Sequence, residues 1–324
     1  MPVVAADAHL VRGLLAFAQG DWTEAVHWLT ALGAPAPECT RMPLAAATAG
    51  ALIRLALVRG APSAAADQAG AAWTAVSDKG IWAWAAELAP WAVEAVARAG
   101  DMAAARRMAA EFVQGLEGQD APSARAAVVW SRAALEECEG RHREAAGSYR
   151  KAAAAYRELP RPYAWALTTE GAARCSLTGG PEASGAAGGA AGDRSAGAAG
   201  VSGVSGVSGA DGGRAQAVAS LRRCVEEYTE LGAVYDAARA RTLLRSHQPP
   251  QARRPGRPAF DDRLSPRERE VAELAARGLM NREIAVVLHL SPRTVEQHVA
   301  RAIRKTGALS RRDLLRAEKN AGPP

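Results

Sequence analysis

Glycines recur along the first half of the chain at a fixed spacing of 40 residues, at Gly20, Gly60, Gly100 and Gly140. The next step of 40 falls on the pair Gly179-Gly180. An apolar run precedes each of the first four glycines, and an alanine follows five residues after it, at Ala25, Ala65, Ala105 and Ala145. Each unit therefore predicts a helix, a turn and a second helix, with a small residue where the two helices approach closely. A fixed period in this range is typical of stacked helical hairpins, which predicts a helical repeat domain over residues 1–245.

Composition favours the same architecture. Hydrophobic residues make up 48% of the 324 residues, but only 5% are aromatic, and the longest apolar stretches are rich in alanine. Alanine is the strongest helix former, whereas aromatic and β-branched residues favour strands. The turns Gly20-Asp21-Trp22-Thr23-Glu24-Ala25 and Gly140-Arg141-His142-Arg143-Glu144-Ala145 resemble those of the tetratricopeptide repeat family. The period is longer than is usual in that family, so we expect longer helices in an all-α solenoid.

Residues 181–213 consist mainly of glycine, alanine and serine and include three copies of Val-Ser-Gly. Such a segment cannot bury enough apolar surface to offset the entropy of ordering it, so we expect it to be disordered. We favour an enlarged turn inside a fifth hairpin, because Ala217 and Leu221 lie at the offsets of a second helix and long insertions add little closure entropy. The other interpretation is a linker between two domains.

All eight tryptophans fall within the predicted repeat domain, at Trp22, Trp28, Trp73, Trp82, Trp84, Trp91, Trp130 and Trp165. Large aromatic side chains can line a ligand groove. They can also simply fill gaps between hairpins, which is the interpretation that we favour. The sequence alone assigns no site to any of them.

Motifs of enzyme chemistry are missing from the sequence. It contains no Gly-Lys pair and hence no phosphate loop, no H-E-x-x-H and no G-x-S-x-G. The four cysteines, Cys39, Cys138, Cys175 and Cys224, are widely spaced, which is typical of small buried side chains in a reducing compartment. We therefore expect no catalytic residues, no metal and no cofactor. The N-terminus resembles no signal peptide, and the most apolar window, residues 44–58, is too short to span a bilayer, so we expect a cytoplasmic protein without membrane contact.

The positive charge of the chain is concentrated at its end. Residues 246–324 carry 16 basic and 9 acidic side chains, a net charge of +7, which leaves −1 for residues 1–245 of a chain whose total is +6. This asymmetry favours a polyanionic partner, and nucleic acid first. Within this part, residues 246–261 are rich in proline and arginine and predict an extended linker, followed by a second domain over residues 262–324.

The second domain is dense in helix-boundary signals. Ser265-Pro266-Arg267-Glu268 is a capping box with proline at the first helical position. Asn281 is predicted to cap a second helix, Ser291-Pro292 to begin a third that stops at Gly307, and Ser310 with Asp313 to begin a fourth. Two helices joined by a tight turn, the second starting at Ser291, predict a helix-turn-helix arrangement.

The third predicted helix, residues 292–306, divides into two faces at 100° per residue. Val295, Val299, Ala302 and Ile303 share the face that would pack on the other helices. We predict base-reading roles for four residues on the opposite face: Arg293, Gln297, Ala300 and Arg301. We predict phosphate contacts for cations, hydroxyls and polar groups around them: Asn281, Arg282, Ser291, Thr294, His298, Arg304 and Lys305. The alternative for a helix taken alone is an ordinary amphipathic helix with a solvated basic face.

Three stretches resemble the LuxR-type helix-turn-helix domain: residues 264–271 (LSPREREV), residues 278–285 (GLMNREIA) and residues 290–299 (LSPRTVEQHV). The resemblance implies a transcription regulator that binds double-stranded DNA as a homodimer, with Leu314 and Leu315 of the fourth helix in the dimer contact. It also assigns base reading to Glu296, Gln297 and Ala300. Many relatives carry a cation where this chain has Glu296, and a carboxylate accepts from cytosine where a cation favours guanine. This difference changes the expected base preference.

Helical repeats followed by such a domain also resemble the C-terminal part of the MalT-like (LAL) regulators, but no ATPase motif is present here. The sequence therefore predicts a sequence-specific DNA-binding regulator whose repeat domain senses an unidentified protein or small-molecule effector. Two alternatives stay open. The chain could be a protein-interaction scaffold with a vestigial DNA-binding domain, or the C-terminal fragment of a larger ATPase-type regulator.

Overall fold

The computed structural model describes residues 2–31, 42–179, 206–247, 264–288 and 290–314. These ranges form α-helices, two short 3₁₀ helices (Trp82–Glu87 and Arg311–Asp313) and turns, and they contain no strand. The α-helices are α1 (Pro2–Gln19), α2 (Trp22–Thr30), α3 (Met42–Val58), α4 (Pro62–Lys79), α5 (Ala89–Arg98), α6 (Met102–Gly115), α7 (Pro122–Cys138), α8 (His142–Glu158), α9 (Pro162–Thr178), α10 (Gly206–Glu230), α11 (Val234–Ser246), α12 (Pro266–Ala276), α13 (Asn281–Leu288) and α14 (Pro292–Thr306). The predicted all-α fold is confirmed.

The periodic glycines form the turns between paired helices. Gly20, Gly60, Gly100 and Gly140 have φ angles of 81°, 74°, 102° and 77°, a left-handed conformation that glycine adopts without steric cost. The alanine five residues after each of them is fully buried, so the two helices of a hairpin approach closely at that point. The period thus reflects two local requirements, a left-handed turn and a small residue at the helix crossing. It generates the hairpins α1/α2, α3/α4, α5/α6 and α7/α8.

Helices α9 and α10 pack side by side as a further helix pair. The Tyr228 hydroxyl donates to the Glu170 carboxylate (2.7 Å) and the Cys224 thiol to the Ala166 carbonyl (3.5 Å). Helix α10 already begins at Gly206, so the prediction of disorder was wrong for residues 206–213, which are helical. Residues 181–205 of the predicted insertion lie outside the described residues.

The array curves until its first and last helices, α1 and α11, are in contact, and a cluster of buried charges joins α11 to α3 and α9. Arg54 of α3 donates to the carboxylate of Asp236 of α11 (2.8 Å) and to the hydroxyl of Tyr163 (2.6 Å), and that hydroxyl in turn donates to Asp236 (2.6 Å). Arg239 donates to the same carboxylate (2.5 Å) and forms a two-pronged ion pair with Glu170 (2.8 and 2.6 Å). This cluster ties α3, α9 and α11 together across the inside of the array.

The pKa values within the cluster follow from its charges. Burial alone would raise the pKa of Asp236, but Arg54 and Arg239 outweigh it and hold that pKa below its ordinary value. Burial would likewise lower the pKa of Arg54, whereas Asp236 and Tyr163 raise it. Both groups are therefore charged at neutral pH, although the Arg54 and Asp236 side chains are only 6% and 0% exposed.

The C-terminal helices pack directly on the two ends of the array. Phe17, Trp22 and Tyr235 of the array share one hydrophobic cluster with Leu279 and with the core of α12–α14. Polar contacts surround this cluster: the Arg277 guanidinium donates to the Gln19 carbonyl (2.5 Å), and Arg245 pairs with Glu270 (2.8 Å) and Arg59 with Glu283 (3.4 Å). In the ranges that the structure describes, no helix is both long enough and apolar enough to cross a membrane.

Candidate nucleic-acid interface

Helix α12 starts at the predicted capping box, which is confirmed in both of its hydrogen bonds. The Ser265 hydroxyl accepts from the backbone N–H of Glu268 (3.3 Å), and the Glu268 carboxylate accepts from the backbone N–H of Ser265 (2.8 Å). The helix ends at Ala276, and Gly278 then adopts a φ of 92° where the chain meets Asp21 and Thr23 of the array. Val271, Leu274 and Ala275 are buried, as their spacing predicts.

Helix α13 is capped differently from the prediction. Asn281 is its first helical residue, and the capping hydrogen bond comes from Glu283, whose carboxylate accepts from the backbone N–H of Met280 (2.7 Å). The Asn281 side-chain oxygen is buried and has no hydrogen-bond partner among the described residues. Asn281 is therefore not the cap, because Glu283 already occupies the end of the helix, while Arg282 next to it is exposed.

Helix α14 begins and ends where the sequence predicts. The Ser291 hydroxyl accepts from the backbone N–H of Thr294 (3.0 Å), and Gly307 terminates the helix with a φ of 66°. Val295 and Ala302 are fully buried, and Val299 and Ile303 pack against the same cluster from its edge. The predicted inner face is thus confirmed.

The outward face of α14 exposes every residue of the predicted base-reading set, namely Arg293, Glu296, Gln297, Ala300 and Arg301. Of the predicted phosphate contacts, Arg282, Ser291 and Arg304 are exposed and Thr294 is half-buried. This gives α14 one continuous surface of guanidinium, amide, carboxylate and methyl groups. Those are the groups that contact base edges and phosphates in a major groove.

His298 lies at the edge of this surface and is half-buried. Burial lowers the pKa of its imidazole, and the neighbouring Arg301 lowers it further, against an opposing effect of Glu268. The imidazole is therefore neutral at pH 7, so it can offer a hydrogen bond but no charge to a phosphate.

Lys305 does not lie on the exposed face. Its ammonium group donates to the Glu268 carboxylate (2.9 Å), and its side chain is largely buried. Burial would raise the pKa of Glu268, but Lys305 and Ser265 outweigh burial and lower it. The prediction of a phosphate contact for Lys305 is corrected: the side chain turns inward to join α14 to the capping box of α12.

Replacing Lys305 by methionine should therefore destabilise the protein without changing its electrostatic contact to DNA. We expect Lys305→Met to lower the free energy of unfolding by about 1–3 kcal/mol at pH 7, because the buried Glu268 carboxylate loses its partner. The difference in the free energy of unfolding between the native chain and Lys305→Met should shrink as the pH falls through the folded-state pKa of Glu268, because the carboxylate then takes up a proton in the native protein. Thermal unfolding between pH 7 and pH 3 measures this.

The matched control is Arg304→Met on the exposed side of the same helix turn. It should leave stability nearly unchanged and reduce the slope of log Kd against log salt by about one phosphate contact. A reduced salt slope in Lys305→Met with unchanged stability would show that Lys305 reaches DNA after all.

The last described residues give a 3₁₀ turn, Arg311–Asp313, after Ser310, whose hydroxyl donates to the Asp313 carboxylate (2.6 Å). The side chain of Leu314 is fully buried in the core of its own domain, so the structure contradicts its assignment to a dimer contact. Leu315 lies outside the described residues. Leu309, for which the sequence pattern predicted no role, is 98% exposed. A large apolar side chain two residues after the helix-ending Gly307 was the signal that could have identified it.

Comparison with known proteins finds similarity in this part of the chain. Residues 262–317 match the family model described as bacterial regulatory proteins, luxR family, so these residues form a LuxR-family helix-turn-helix domain. No solved structure matches the chain.

Three relatives illustrate the similarity. The chain is 51% identical over 61 residues to the tetrathionate response regulatory protein TtrR of Salmonella typhimurium, which is 18% of this chain and 30% of that protein. It is 50% identical over 53 residues to the response regulator Rre1 of Synechocystis sp. (16% and 23%). It is 51% identical over 49 residues to the transcriptional activator protein BjaR1 of Bradyrhizobium diazoefficiens (15% and 20%). The chain thus spans less than a third of the length of each of these relatives.

Proposed function

We propose that this chain is a sequence-specific DNA-binding transcription regulator that inserts α14 into the major groove. The observation that carries the proposal is the division of α14: one face completes the core of a LuxR-family domain, and the other exposes the base-reading set. In a helix-turn-helix protein the second helix reads bases and the first lies across the backbone. Helix α14 is that second helix, and α13 that first one.

The charges around α14 support the same function. Arg282, Arg293, Arg301 and Arg304 are exposed cations on or next to the helix. Cations at such positions release counterions from the DNA and supply most of the sequence-independent affinity. At the start of α14 Pro292 has no N–H and the Ser291 hydroxyl takes up the N–H of Thr294, which leaves the N–H of Arg293 to approach a phosphate. Asn281, Arg282, Ser291, Thr294, Arg304 and, as a neutral group, His298 remain the proposed phosphate contacts.

The proposed DNA complex is a homodimer on an inverted repeat. Leu309, exposed next to the end of α14, replaces Leu314 as the proposed apolar contact between the two copies. Association with DNA also implies action in the cytoplasm of the cell. The repeat array is proposed to sense an effector, and its direct packing on α12–α14 supplies the physical connection.

Fluorescence anisotropy with labelled genomic fragments tests the proposal. The expected result is tight binding to a subset of fragments, with log Kd rising linearly with log salt. Equal affinity for all fragments, or an affinity independent of salt, would contradict it.

Substitutions at Gln297 and Arg304 should separate base reading from phosphate contact. Gln297→Ala should cost about 1–3 kcal/mol on the preferred sequence and little on others, because a planar amide reads one base pair. Arg304→Ala should weaken binding to all sequences alike. Anisotropy titrations on the preferred fragment and on a scrambled one measure both effects, and equal loss of sequence preference in the two variants would refute the assignment of roles.

A further inference from the structure

A cavity of about 490 Å³ lies inside the curve of the array. Its wall is formed by one helix from each of four hairpins, α3, α5, α7 and α9, together with α8 and α11. Val286 and Val287 of α13 complete the wall from the LuxR-family domain. This volume lies in the range of cavities that bind drug-sized molecules. The cavity is therefore shared between the array and the proposed DNA-binding domain.

One part of the wall is aromatic. The rings of Trp91 and Trp130 meet edge to face, with centroids 5.0 Å apart, and Tyr149 and Tyr235 also line the cavity. Arg54 lies over the Trp91 ring at 4.8 Å and lines the same cavity. Such rings offer flat apolar surface to the flat ring of a ligand.

Another part of the wall carries paired charges. Arg174 forms a two-pronged pair with Glu137 (both distances 2.7 Å), and Arg98 pairs with Glu94 (3.0 Å). A guanidinium has five N–H donors, so these contacts leave donors of both arginines for a ligand. Burial raises the pKa of the neighbouring Cys138 thiol to about 12, and the thiol adds no negative charge at neutral pH.

We propose that this cavity binds a small aromatic carboxylate and that α13 couples its occupancy to DNA binding. The ring would lie against Trp91 and Trp130, and the carboxylate would accept hydrogen bonds from Arg98 and Arg174. Because α13 forms part of the wall, a ligand in the cavity contacts the array and the helix-turn-helix domain at once. The coupling rests on the proposed function, whereas binding to the cavity does not.

The coupling must be reciprocal. If the ligand changes the affinity of the chain for DNA by some factor, DNA changes the affinity for the ligand by the same factor. Calorimetry measures the factor by which DNA changes the affinity for the ligand, and anisotropy measures the factor by which the ligand changes the affinity for DNA. The two factors must be equal.

Calorimetric titration of the full chain with two ring-matched probes tests the site. We expect 1-naphthylacetate to bind at one site per chain, and 1-naphthylmethylammonium, which has the same ring and the opposite charge, to bind at least tenfold more weakly. Arg98→Gln, at a half-exposed cavity residue, should weaken binding of the acid about tenfold. Arg106→Gln is the matched control, since Arg106 also pairs with a glutamate (Glu139, 2.6 Å) but does not line the cavity.

A second variant, Leu167→Trp, fills part of the cavity and should abolish binding of 1-naphthylacetate. An unchanged far-UV circular dichroism spectrum and unchanged DNA binding in the absence of the probe would show that this variant folds. Absence of saturable binding of 1-naphthylacetate, equal binding of the two probes, or equal effects of Arg98→Gln and Arg106→Gln would overturn the site. Probe binding that leaves the affinity for DNA unchanged would overturn the coupling alone. A chain that binds the probe but no DNA would refute the proposed function and leave the site intact.

Discussion

Reversing two charges on the exposed face of α14 should abolish DNA binding: Arg301→Glu/Arg304→Glu is expected to raise the Kd on the order of a thousandfold at about 0.1 M salt. Both arginines are exposed, so their replacement leaves the core of the domain unchanged. The double variant removes two proposed contacts to the DNA and places two carboxylates near its phosphates. Like charges brought together in this way cost several kcal/mol.

A control with the same change in net charge separates this local effect from general repulsion. Arg107→Glu/Arg222→Glu reverses two exposed arginines on α6 and α10 of the array. We expect it to change the Kd less than about tenfold, because charges farther from DNA than the Debye length of about 8–10 Å are largely screened. Anisotropy titrations over a range of salt concentrations compare the two variants. Similar losses in both would show that α14 is not the DNA-contacting helix.

The parts of this fold that the sequence predicts are those that depend on neighbouring residues. Ser265 and Glu268 form a capping box within four residues, and Gly307 ends α14 through its own left-handed conformation. The glycine period of the array is also predictable, because each left-handed turn needs a glycine and each helix crossing needs a small residue five positions later.

The errors in the predicted site come from contacts between residues far apart in sequence. The sequence predicts a phosphate contact for Lys305, but its ammonium group pairs with Glu268, which lies 37 residues away on α12. Leu314 is apolar and follows a predicted helix start, and only the packed domain shows that its side chain is buried inside. Asn281 is a good capping residue, yet Glu283 takes that role.

The sequence also does not predict that the first and last helices of the array meet, or that the array packs on the C-terminal helices. Arg54 interrupts an apolar stretch, and its spacing gives no sign that Asp236, 182 residues later, is its partner. In the sequence, Arg277 and Gly278 only mark the end of a helix. In the structure they also contact Gln19, Asp21 and Thr23 of the array. The cavity follows from these long-range contacts, so it too could not be predicted.

The buried charge cluster supplies the second large effect that we expect. Asp236→Ala should lower the free energy of unfolding by about 3–5 kcal/mol, because it leaves Arg54 and Arg239 buried with one carboxylate fewer between them. Glu87→Ala is the matched control: Glu87 pairs with Arg161 at 2.6 Å, but both side chains are about half exposed (53% and 48%). Such a surface pair contributes at most about 1 kcal/mol. Urea unfolding followed by circular dichroism measures both variants.

The pH dependence of this effect has a definite sign. The pKa of Asp236 is lowered in the folded protein, so its contribution is present above the unfolded-state pKa and is lost as the pH falls through the folded-state value. The difference in stability between the native chain and Asp236→Ala should therefore be constant from pH 7 to about pH 5 and diminish in more acidic solution. A difference that persisted unchanged to pH 2 would mean that the carboxylate is not the group that stabilises the cluster.

The same variant also tests whether closure of the array positions the C-terminal domain. Asp236 lies on α11, the array helix that packs against α13, and Arg54 and Tyr235 line the shared cavity. Loss of the cluster should loosen α11 from α3 and α9, and a repeat array with fewer contacts across its inside unfolds less cooperatively. We therefore expect a broader urea transition in Asp236→Ala, together with loss of any effect of 1-naphthylacetate on DNA binding. A sharp transition with intact coupling would place the connection between array and α13 elsewhere, in contacts such as those of Arg277 with Gln19.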